Sequence, residues 1–597
     1  MTRARQPVSR GEWLALGGIV LLFSFLRFPL FREPGVRLGW HSDAAVFGLM
    51  ARDIYEGTFH LFWWGQSYMG TLTSMFGALG GLIVAPFGVT PPVGPLGMRV
   101  GTAIEWLAMI AFFWLVFRIA FGPAVAIIVA LLLTMGPDWF FHSQLAPRGG
   151  EMLLFLSGAI LLVAAGGLRR RRDWFLFGLL CGIGWWMHQG IAFAAGAALL
   201  VVILRSEAWE IVRLPRREYA WRRAAFPTRL LIRSIDVVLL VLLALAVVRE
   251  FIPRVPAFFL HSAVREALTA WLLFRLVLAL SHDGPLRDAL AHLWRERRVW
   301  MPPAALFAAG ALIGYTPVII GAMRGLYEGT YGFSAPLRHL GDVPAQMARV
   351  LRSDLWRLIG ASWTPAGVVI GGVLLVLLAA HLIRHRDQVR AFLTGRPGDY
   401  GLRGVIGATL LLCAAFYFGS SRAYGGAVRY IAPAVPILFG FAVAEAAQWW
   451  GSGRRLLRGA AAAAVVALAL AYAMQTLRLA GELESAQAEG RFYTGAVLAA
   501  GPSFDPRPAM EAIERGGYGV CYAEFAVGVN LEWLLDRRVR FISWNSVEPR
   551  RALAPRLAAL PVPKCFVDWD GSVRPWDPRE HDDSIGRTAA ERLRRRR

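Results

Sequence analysis

Side chains that could do chemistry are concentrated between residues 39 and 57, directly after the first long apolar segment. The first acid of this stretch is Asp43. It precedes four apolar residues at helical spacing, which predict a helix lying on the membrane surface by one face: Val46, Phe47, Met50 and Ile54. A carboxylate at such a helix start either caps the helix, contributing about 1 kcal/mol, or serves as a general base held at the membrane surface.

Further candidate substrate-binding residues stand in polar stretches beside other apolar segments: Gln66, Tyr68, His142, Arg148, Arg422, Arg429 and Tyr430. The arginines suit a phosphodiester, because a guanidinium binds two phosphate oxygens at once and stays charged. Any one of them can instead pair with a carboxylate or extend along lipid. Arg429 is the strongest of the three, because it stands at the start of a late apolar helix.

Glu105 lies inside an apolar segment, where a carboxyl group is costly to bury. It either binds a substrate hydroxyl or braces a helix. His41 and Asp43 are two residues apart and invite a metal hypothesis, but the chain has no HExxH pattern and no paired cysteine spacing. We therefore expect no metal ligands and no cofactor.

The elements that must position these residues lie in a membrane. Of the 597 residues, 56% are hydrophobic and 18% are charged, and the mean hydropathy is +0.47. This composition excludes a soluble cytosolic enzyme and predicts a polytopic α-helical membrane protein. One of the apolar segments before residue 169 cannot span, and the short one at 124–137 or its neighbour is the expected exception. About thirteen transmembrane helices remain.

The net charge of +23 is explained by arginine clusters in the loops on one side of the membrane. The positive-inside rule places these clusters, and the N-terminus, in the cytoplasm. Three regions then face outward: residues 31–69, residues 324–362 and the tail from residue 480. The first helix lacks a small-residue cleavage site after it and is expected to be an uncleaved anchor in the cytoplasmic (inner) membrane.

The chain divides into a transmembrane catalytic domain, a small extracytoplasmic module and a basic disordered end, at residues 1–480, 481–580 and 581–597. Within the first, residues 31–69 form the first outer loop. Residues 324–362 form a second outer loop with an amphipathic helix at 343–359, which either covers the site as a lid or only anchors the loop.

The tail has the pattern of a small α/β domain. Short apolar stretches at 519–523, 539–543 and 565–569 predict strands, and helical stretches at 527–536 and 551–560 separate them. Cys521 and Cys565 lie on the first and last of these strands. They form a disulfide if the strands are neighbours in an oxidising compartment, or otherwise remain as two buried thiols.

Three motifs carry a resemblance to a known family. Ser42-Asp43, residues 51–57 and residues 65–70 resemble the first outer loop of the GT-C glycosyltransferases, especially family 39 and the RgtA/B/C/D-like group. Residues 140–151 are similar to the second outer loop of that family, and residues 428–436 resemble its Arg-Tyr-Leu-Leu-Pro segment. Family members have two adjacent acids after the first helix. Here only Asp43 matches, since Ala44 follows it.

The resemblance implies an integral membrane enzyme that takes a sugar from a polyprenyl-phosphate donor. Asp43 is then the general base of an inverting displacement, arginine charge stabilises the departing lipid phosphate, and a divalent metal is not expected. The implied partners are membrane lipid, the lipid-linked donor and an acceptor glycolipid, polysaccharide or protein, with no nucleic acid. Two alternatives stay open: a transporter or flippase of a lipid-linked substrate, although no internal repeat is visible, and a non-catalytic member of the family.

Overall fold

The computed structural model describes the chain in segments: residues 7–32, 42–64, 69–145, 147, 149–166, 168, 170–205, 297–323, 345, 348–361, 364–393, 401–419, 430–488, 506–543, 556–568 and 571–577. These residues are mostly helical. The first half of the chain forms nine described α-helices: α1 (Arg10–Arg32), α2 (Ser42–Tyr55), α3 (Leu72–Val84), α4 (Pro95–Phe121), α5 (Pro123–Met135), α6 (Asp138–Leu145), α7 (Gly150–Ala165), α8 (Arg171–Met187) and α9 (Ala192–Arg205).

The second half continues the bundle with α10 (Arg297–Met323), a π-helical turn (Val350–Asp354) that leads into α11 (Leu355–Leu358), α12 (Pro365–Arg384), α13 (Arg386–Leu393), α14 (Gly401–Gly419), α15 (Ala434–Gly451) and α16 (Arg455–Ala488). The tail then adds α17 (Pro506–Arg515), β1 (Val520–Ala523), α18 (Phe525–Leu534), β2 (Arg540–Ile542), β3 (Lys564–Val567) and β4 (Val573–Pro575).

Five of the described helices are long and apolar enough to cross a membrane: Arg10–Phe28, Pro95–Phe121, Met301–Gly321, Pro365–Arg384 and Arg455–Glu482. The pair formed by α5 and α6 passes the same test together but bends by 65° at the break. The chain is thus a multi-pass helical membrane protein, as its composition predicts. The count of about thirteen helices stays a prediction, because the apolar segments at 236–252 and 257–281 lie outside the described residues.

Ion pairs and ring contacts define the two ends of the bundle. Arg118, at the end of α4, donates to Glu12 at the start of α1 over 2.5 Å, so α1 and α4 run in opposite directions. We call this the near end. The far end is the opposite one, where α8 finishes at Met187 and where α7 begins at Gly150.

α3 begins at the far end of the bundle. The Gly70 amide at its start donates to the Met187 carbonyl over 3.0 Å. From there α3 runs antiparallel along the first half of α4, with Gly80 against the backbone of Gly97. Which segment fails to span, the one at 124–137 or its neighbour, stays a prediction, because the bent pair of α5 and α6 is either a broken span or a re-entrant loop. At the end of α5, the Met135 carbonyl accepts a hydrogen bond from Thr476 of α16, beside the far end.

Glycines allow the closest helix contacts in the bundle. A Cβ on Gly178 or Gly182 of α8 would collide with carbonyl groups of α10, and a Cβ on Gly80 would collide with α4. These positions lie in the glycine-rich runs of the sequence. They therefore serve helix packing, since only a residue without a side chain lets two backbones approach this closely.

The tail folds as a four-stranded sheet in the order β2-β1-β3-β4. β1 pairs in parallel with both β2 and β3, and β3 pairs antiparallel with β4. The three predicted strands are confirmed, whereas α17 and β4 have no counterpart in the sequence prediction. Cys521 and Cys565 are direct neighbours in the β1–β3 register and form a disulfide with their Cα atoms 4.4 Å apart.

Candidate functional site

Asp43 lies in the first turn of α2 and is partly buried. The predicted helix is confirmed, but its surroundings differ from the prediction of a helix lying on the membrane surface. Every residue from Ala44 to Ala51 is buried, on all sides of the helix. α3 packs on one side and α18 of the tail on another. Asp43 therefore starts a helix that the protein encloses.

The tail contacts α2 through a cluster of charged side chains. Arg537, just beyond α18, places Nη1 2.5 Å from Asp53 Oδ1 and donates through Nη2 to the Leu49 carbonyl over 2.7 Å. Arg52 bonds the carbonyl and carboxylate of Asp536 in return. His60 completes the cluster, because its Nε2 lies 2.7 Å from Asp53 Oδ2. We call these five residues the docking cluster: Arg52, Asp53, His60, Asp536 and Arg537.

The electrostatics of the docking cluster favour a charged Asp53. Burial alone raises the pKa of this carboxyl group, but hydrogen bonds from His60 and Arg537 outweigh that effect, and the net pKa is lowered from 3.8. Burial likewise opposes the charged form of Arg52, whereas its bonds to Glu56 and Asp536 raise its pKa above the ordinary value. The ion pairs are therefore charged at neutral pH.

The turn that presents Arg537 has an unusual backbone. Asp536 and Arg537 have φ angles of 54° and 57°, in the left-handed region that L-residues seldom occupy. Each such residue costs about 1 kcal/mol. Next to this turn, Trp533 lies against Gly48, where a Cβ would fall 2.5 Å from the indole Nε1. Close packing and ion pairing together offset the strain and fix the tail against α2.

Four described residues from four separate parts of the chain meet at the far end. Met69 forms an isolated antiparallel bridge with His188, just after α8. The ring of Tyr430 lies 5.9 Å from the ring of His188. A Cβ on Gly149 would lie 3.2 Å from Met69 Sδ. We call this set the far-end junction: Met69, Gly149, His188 and Tyr430.

The tautomer of His188 follows from its own loop. The Gly190 amide donates to His188 Nδ1 over 3.0 Å, so Nδ1 is an acceptor and the neutral ring carries its proton on Nε2. The first outer loop is held at the same place, since Trp186 Nε1 donates to the Leu61 carbonyl over 2.7 Å. The junction is thus built on hydrogen bonds between the first outer loop and the end of α8.

A short series of contacts connects Asp43 with the far-end junction. Phe47 lies one helical turn after Asp43, and its ring centroid is 6.0 Å from that of Trp63. The Trp63 amide donates to the Met69 carbonyl over 2.8 Å. Asp43 and the junction therefore belong to one packed region.

Glu105 is fully buried on α4, as its position in an apolar segment predicts. Thr73 donates to its Oε1 over 3.3 Å, and the carboxylate of Glu151 acts on it electrostatically. The second oxygen, Oε2, has no hydrogen-bond partner in the described structure. Glu151 is two residues from Gly149, so this acidic pair lies next to the far-end junction.

The remaining sequence candidates divide into two groups. His142 is described and lies on α6, which packs against α4 and α16. Five candidates lie outside the described residues: Gln66, Tyr68, Arg148, Arg422 and Arg429. Three of these are chain neighbours of junction residues, since Tyr68 precedes Met69, Arg148 precedes Gly149 and Arg429 precedes Tyr430.

The described end of the second outer loop is anchored to the bundle. Three successive carbonyls accept hydrogen bonds: Leu358 from Trp139, Ile359 from Tyr472 and Gly360 from Gln475. Before them, Asp354 is 2% exposed and accepts a hydrogen bond from Tyr417 over 2.8 Å. This end is therefore anchored to the bundle, and whether the loop also covers the site as a lid stays a prediction. Residues 324–344 lie outside the described residues.

Several residues of the site could not be identified from the sequence. Arg537 is 484 positions away from Asp53, and nothing in its local sequence marks it. Arg27 of α1 is fully buried, with Nε donating to Gln144 over 2.9 Å and both terminal nitrogens without a partner among the described residues. An arginine inside an apolar segment is a visible signal, and a hydropathy search for buried charge would find it.

No family model and no curated protein matches the chain. Solved structures are similar to it. ArnT from Cupriavidus metallidurans bound to undecaprenyl phosphate is 12% identical, with a TM-score of 0.49 over 94% of each chain. The oligosaccharyltransferase of Archaeoglobus fulgidus is 13% identical, with a TM-score of 0.43 over 89% of this chain and 64% of that one. Both are glycosyltransferases of the GT-C superfamily, the group that the loop motifs resemble.

Proposed function

We propose that the protein transfers a sugar from a polyprenyl-phosphate donor to an acceptor hydroxyl at the far end of the bundle. The observation that carries this proposal is the far-end junction. Three of its members, Met69, Gly149 and Tyr430, directly follow Tyr68, Arg148 and Arg429 in the chain. The junction belongs to the same packed region as Asp43. Transfer from a lipid phosphate needs a base that deprotonates the acceptor hydroxyl and cations that stabilise the departing phosphate. A carboxylate and guanidinium groups supply these two functions.

The orientation that we propose puts the far end outside the cytoplasm. The Cys521–Cys565 disulfide belongs to the tail, which docks on α2, and disulfides persist in oxidising compartments. Arginine-rich loops, such as the one before α8, lie at the near end and fit a cytoplasmic location. The N-terminus is then cytoplasmic, and the donor is met at the outer surface of the cytoplasmic membrane.

The chemistry is a single displacement. Asp43 takes the proton of the acceptor hydroxyl while the oxygen of that hydroxyl forms a bond to the anomeric carbon of the donor sugar. The bond from that carbon to the phosphate oxygen breaks, and the lipid phosphate leaves with the electron pair. Attack from the face opposite the leaving group inverts the anomeric centre.

Arginine charge stabilises the departing phosphate. Arg148 and Arg429 are the residues that we assign to this role, with Arg422 as a further candidate. In this proposal the transfer uses no metal ion, because the second acid of the family pattern is Ala44. Gln66, Tyr68, His142, Glu105 and Tyr430 are assigned to binding the sugar or acceptor.

The test is donor consumption by the purified protein in lipid nanodiscs, offered a panel of polyprenyl-phosphate sugars. Asp43→Asn keeps the size of the side chain and removes the base, so we expect a loss of about 10²–10⁴-fold in rate. Asp138→Asn is the matched control. Asp138 also begins a helix, where it accepts a hydrogen bond from the Trp139 amide, and its replacement should leave the rate within twofold.

Three outcomes contradict parts of the proposal. If Asp43→Asn consumes donor at a rate near that of the wild type, Asp43 is not the general base. A product that retains the anomeric configuration removes the single displacement. In proteoliposomes, which enclose a separate inner compartment, movement of intact donor across the bilayer without consumption of any sugar in the panel supports the transporter alternative.

A further inference from the structure

A second group of potential ligands lies at the near end, away from the proposed transfer site. His381 is on the last turn of α12, and His385 follows the end of that helix. Glu445 is on α15, which packs against α12. We call these three residues the near-end cluster. Each offers one ligand atom, and the three atoms lie within 4.8 Å of one another.

The two histidines face the same direction because they are four residues apart, about one helical turn. Their ring centroids are 4.5 Å apart. Glu445 is fully buried, and the side chain of His381 is only 13% exposed. The cluster is therefore a packed feature of the bundle and not a chance meeting of surface side chains.

The distance between His381 and Glu445 carries the inference. His381 Nδ1 lies 3.4 Å from Glu445 Oε2, and Nδ1 has no hydrogen-bond partner among the described residues. Two ligands on one tetrahedral ion, each bonded at about 2.0–2.1 Å, are about 3.3–3.4 Å apart. The pair thus has the separation of two ligands that share a tetrahedral metal ion.

Other groups hold the carboxylate in place. Trp449 Nε1 donates to Glu445 Oε1 over 2.7 Å, and Arg384 Nε donates to both carboxylate oxygens, over 2.9 Å to Oε1 and over 3.2 Å to Oε2. Gln448 Nε2 lies 3.4 Å from His385 Nε2. Ligating side chains in metal sites are oriented by hydrogen bonds of this kind.

We propose that His381, His385 and Glu445 bind one first-row transition-metal ion, with Zn²⁺ as the expected ion. Two imidazoles and one carboxylate form a ligand set that suits Zn²⁺ and leaves a fourth position for water. The ion would join the end of α12 to α15. This site lies at the opposite end of the bundle from the proposed transfer site, so it does not depend on the proposed function. It departs from our expectation that the histidines hold no metal.

Arg384 provides the competing explanation. Its guanidinium already pairs with Glu445, so the cluster could be an ion pair with two adjacent histidines and no metal. A bound cation would also be repelled by this charge. The side chain of Arg384 is 46% exposed and can move toward solvent, where its charge is screened.

The experiment is metal binding by the full-length protein in detergent, stripped with a chelator and titrated with Co²⁺ as a spectroscopic substitute for Zn²⁺. Tetrahedral Co²⁺ gives intense visible absorption. We expect one equivalent to bind and Zn²⁺ to displace it. Glu445→Gln and His385→Asn should each weaken binding at least tenfold. His60→Asn, which removes a histidine at the other end of the bundle, should have no effect.

Folding is checked by size-exclusion elution and by the thermal midpoint of each variant without metal. Arg384→Gln separates the two explanations. If wild type binds and this variant binds as tightly or more tightly, the proposal stands. If neither binds Co²⁺ above the level of a His381→Asn/Glu445→Gln variant, or if only Arg384→Gln binds, the natural protein holds no metal here and the proposal fails.

Discussion

Arg537 Nη1 lies 2.5 Å from Asp53 Oδ1, and the same guanidinium donates to the Leu49 carbonyl on the preceding turn of α2. One side chain of the tail therefore holds two successive turns of the helix that begins at Asp43. The tail domain is thus part of the structure that positions the proposed base, although the resemblance assigns it no function.

Replacing Arg537 should weaken the proposed transfer without touching the reacting groups. Arg537→Gln leaves Asp53 partly buried without its cation, which costs about 2 kcal/mol. We expect a lower thermal midpoint and a several-fold slower donor consumption. Arg538→Gln is the control, because Arg538 is 64% exposed, pairs with the exposed Glu514 and donates to the Leu535 carbonyl of its own turn, with no contact to α2 among the described residues. Equal effects of the two variants would mean that the docking cluster does not position α2.

The docking cluster should be stable to moderate acid. The pKa of Asp53 is lowered from 3.8 in the folded protein. The stability that the charged carboxylate contributes is therefore fully present above pH 3.8 and is lost as the pH falls through the pKa of the folded protein. Amide hydrogen exchange of α2, corrected for intrinsic rates, should rise as the pH falls below about 4. Asp53→Asn should exchange faster at neutral pH and show little further change in acid. Wild-type exchange that does not rise between about pH 4 and about pH 2 would contradict this.

Gly48 should be intolerant of even one methyl group. A Cβ there collides with the Trp533 indole, so Gly48→Ala should destabilise the docked tail by about 1–3 kcal/mol. Gly372→Ala, at a helical glycine with nothing within 4 Å, should be neutral or stabilising by up to about 1 kcal/mol. Thermal unfolding in detergent measures both. In the double variant Gly48→Ala/Trp533→Leu, the smaller side chain should recover part of the stability that Gly48→Ala alone loses. If the losses of the two single variants simply add in the double variant, the two residues do not interact.

The Cys521–Cys565 bridge should stabilise the tail and report its compartment. It closes a sequence separation of 44 residues, for which loop entropy gives about 4 kcal/mol as an upper value. Cys521→Ser/Cys565→Ser should unfold the tail at lower urea, seen as faster proteolysis of residues 506–577. In intact cells, a thiol reagent that cannot cross the membrane should label the tail only after reduction. Labelling that requires permeabilisation would place the tail in the cytoplasm.

The sequence alone was enough to predict the membrane bundle, because a surplus of apolar residues is stable only in lipid and each long run forms its own hydrogen bonds as a helix. It also predicted the helix after Asp43, the buried Glu105 and three of the four strands in the tail. These features depend on periodicity and composition over a few successive turns, which are visible in a linear chain.

Tertiary structure decided which helix packs along α3 and what encloses Asp43. Glycine contacts place α3 along the first half of α4, and hydropathy does not identify that partner. The pairing of Arg537 with Asp53, the register of Cys521 with Cys565 and the meeting of His381 with Glu445 all join residues far apart in sequence. Such contacts depend on how the helices and strands pack in three dimensions, and the local preferences of a sequence do not specify that packing.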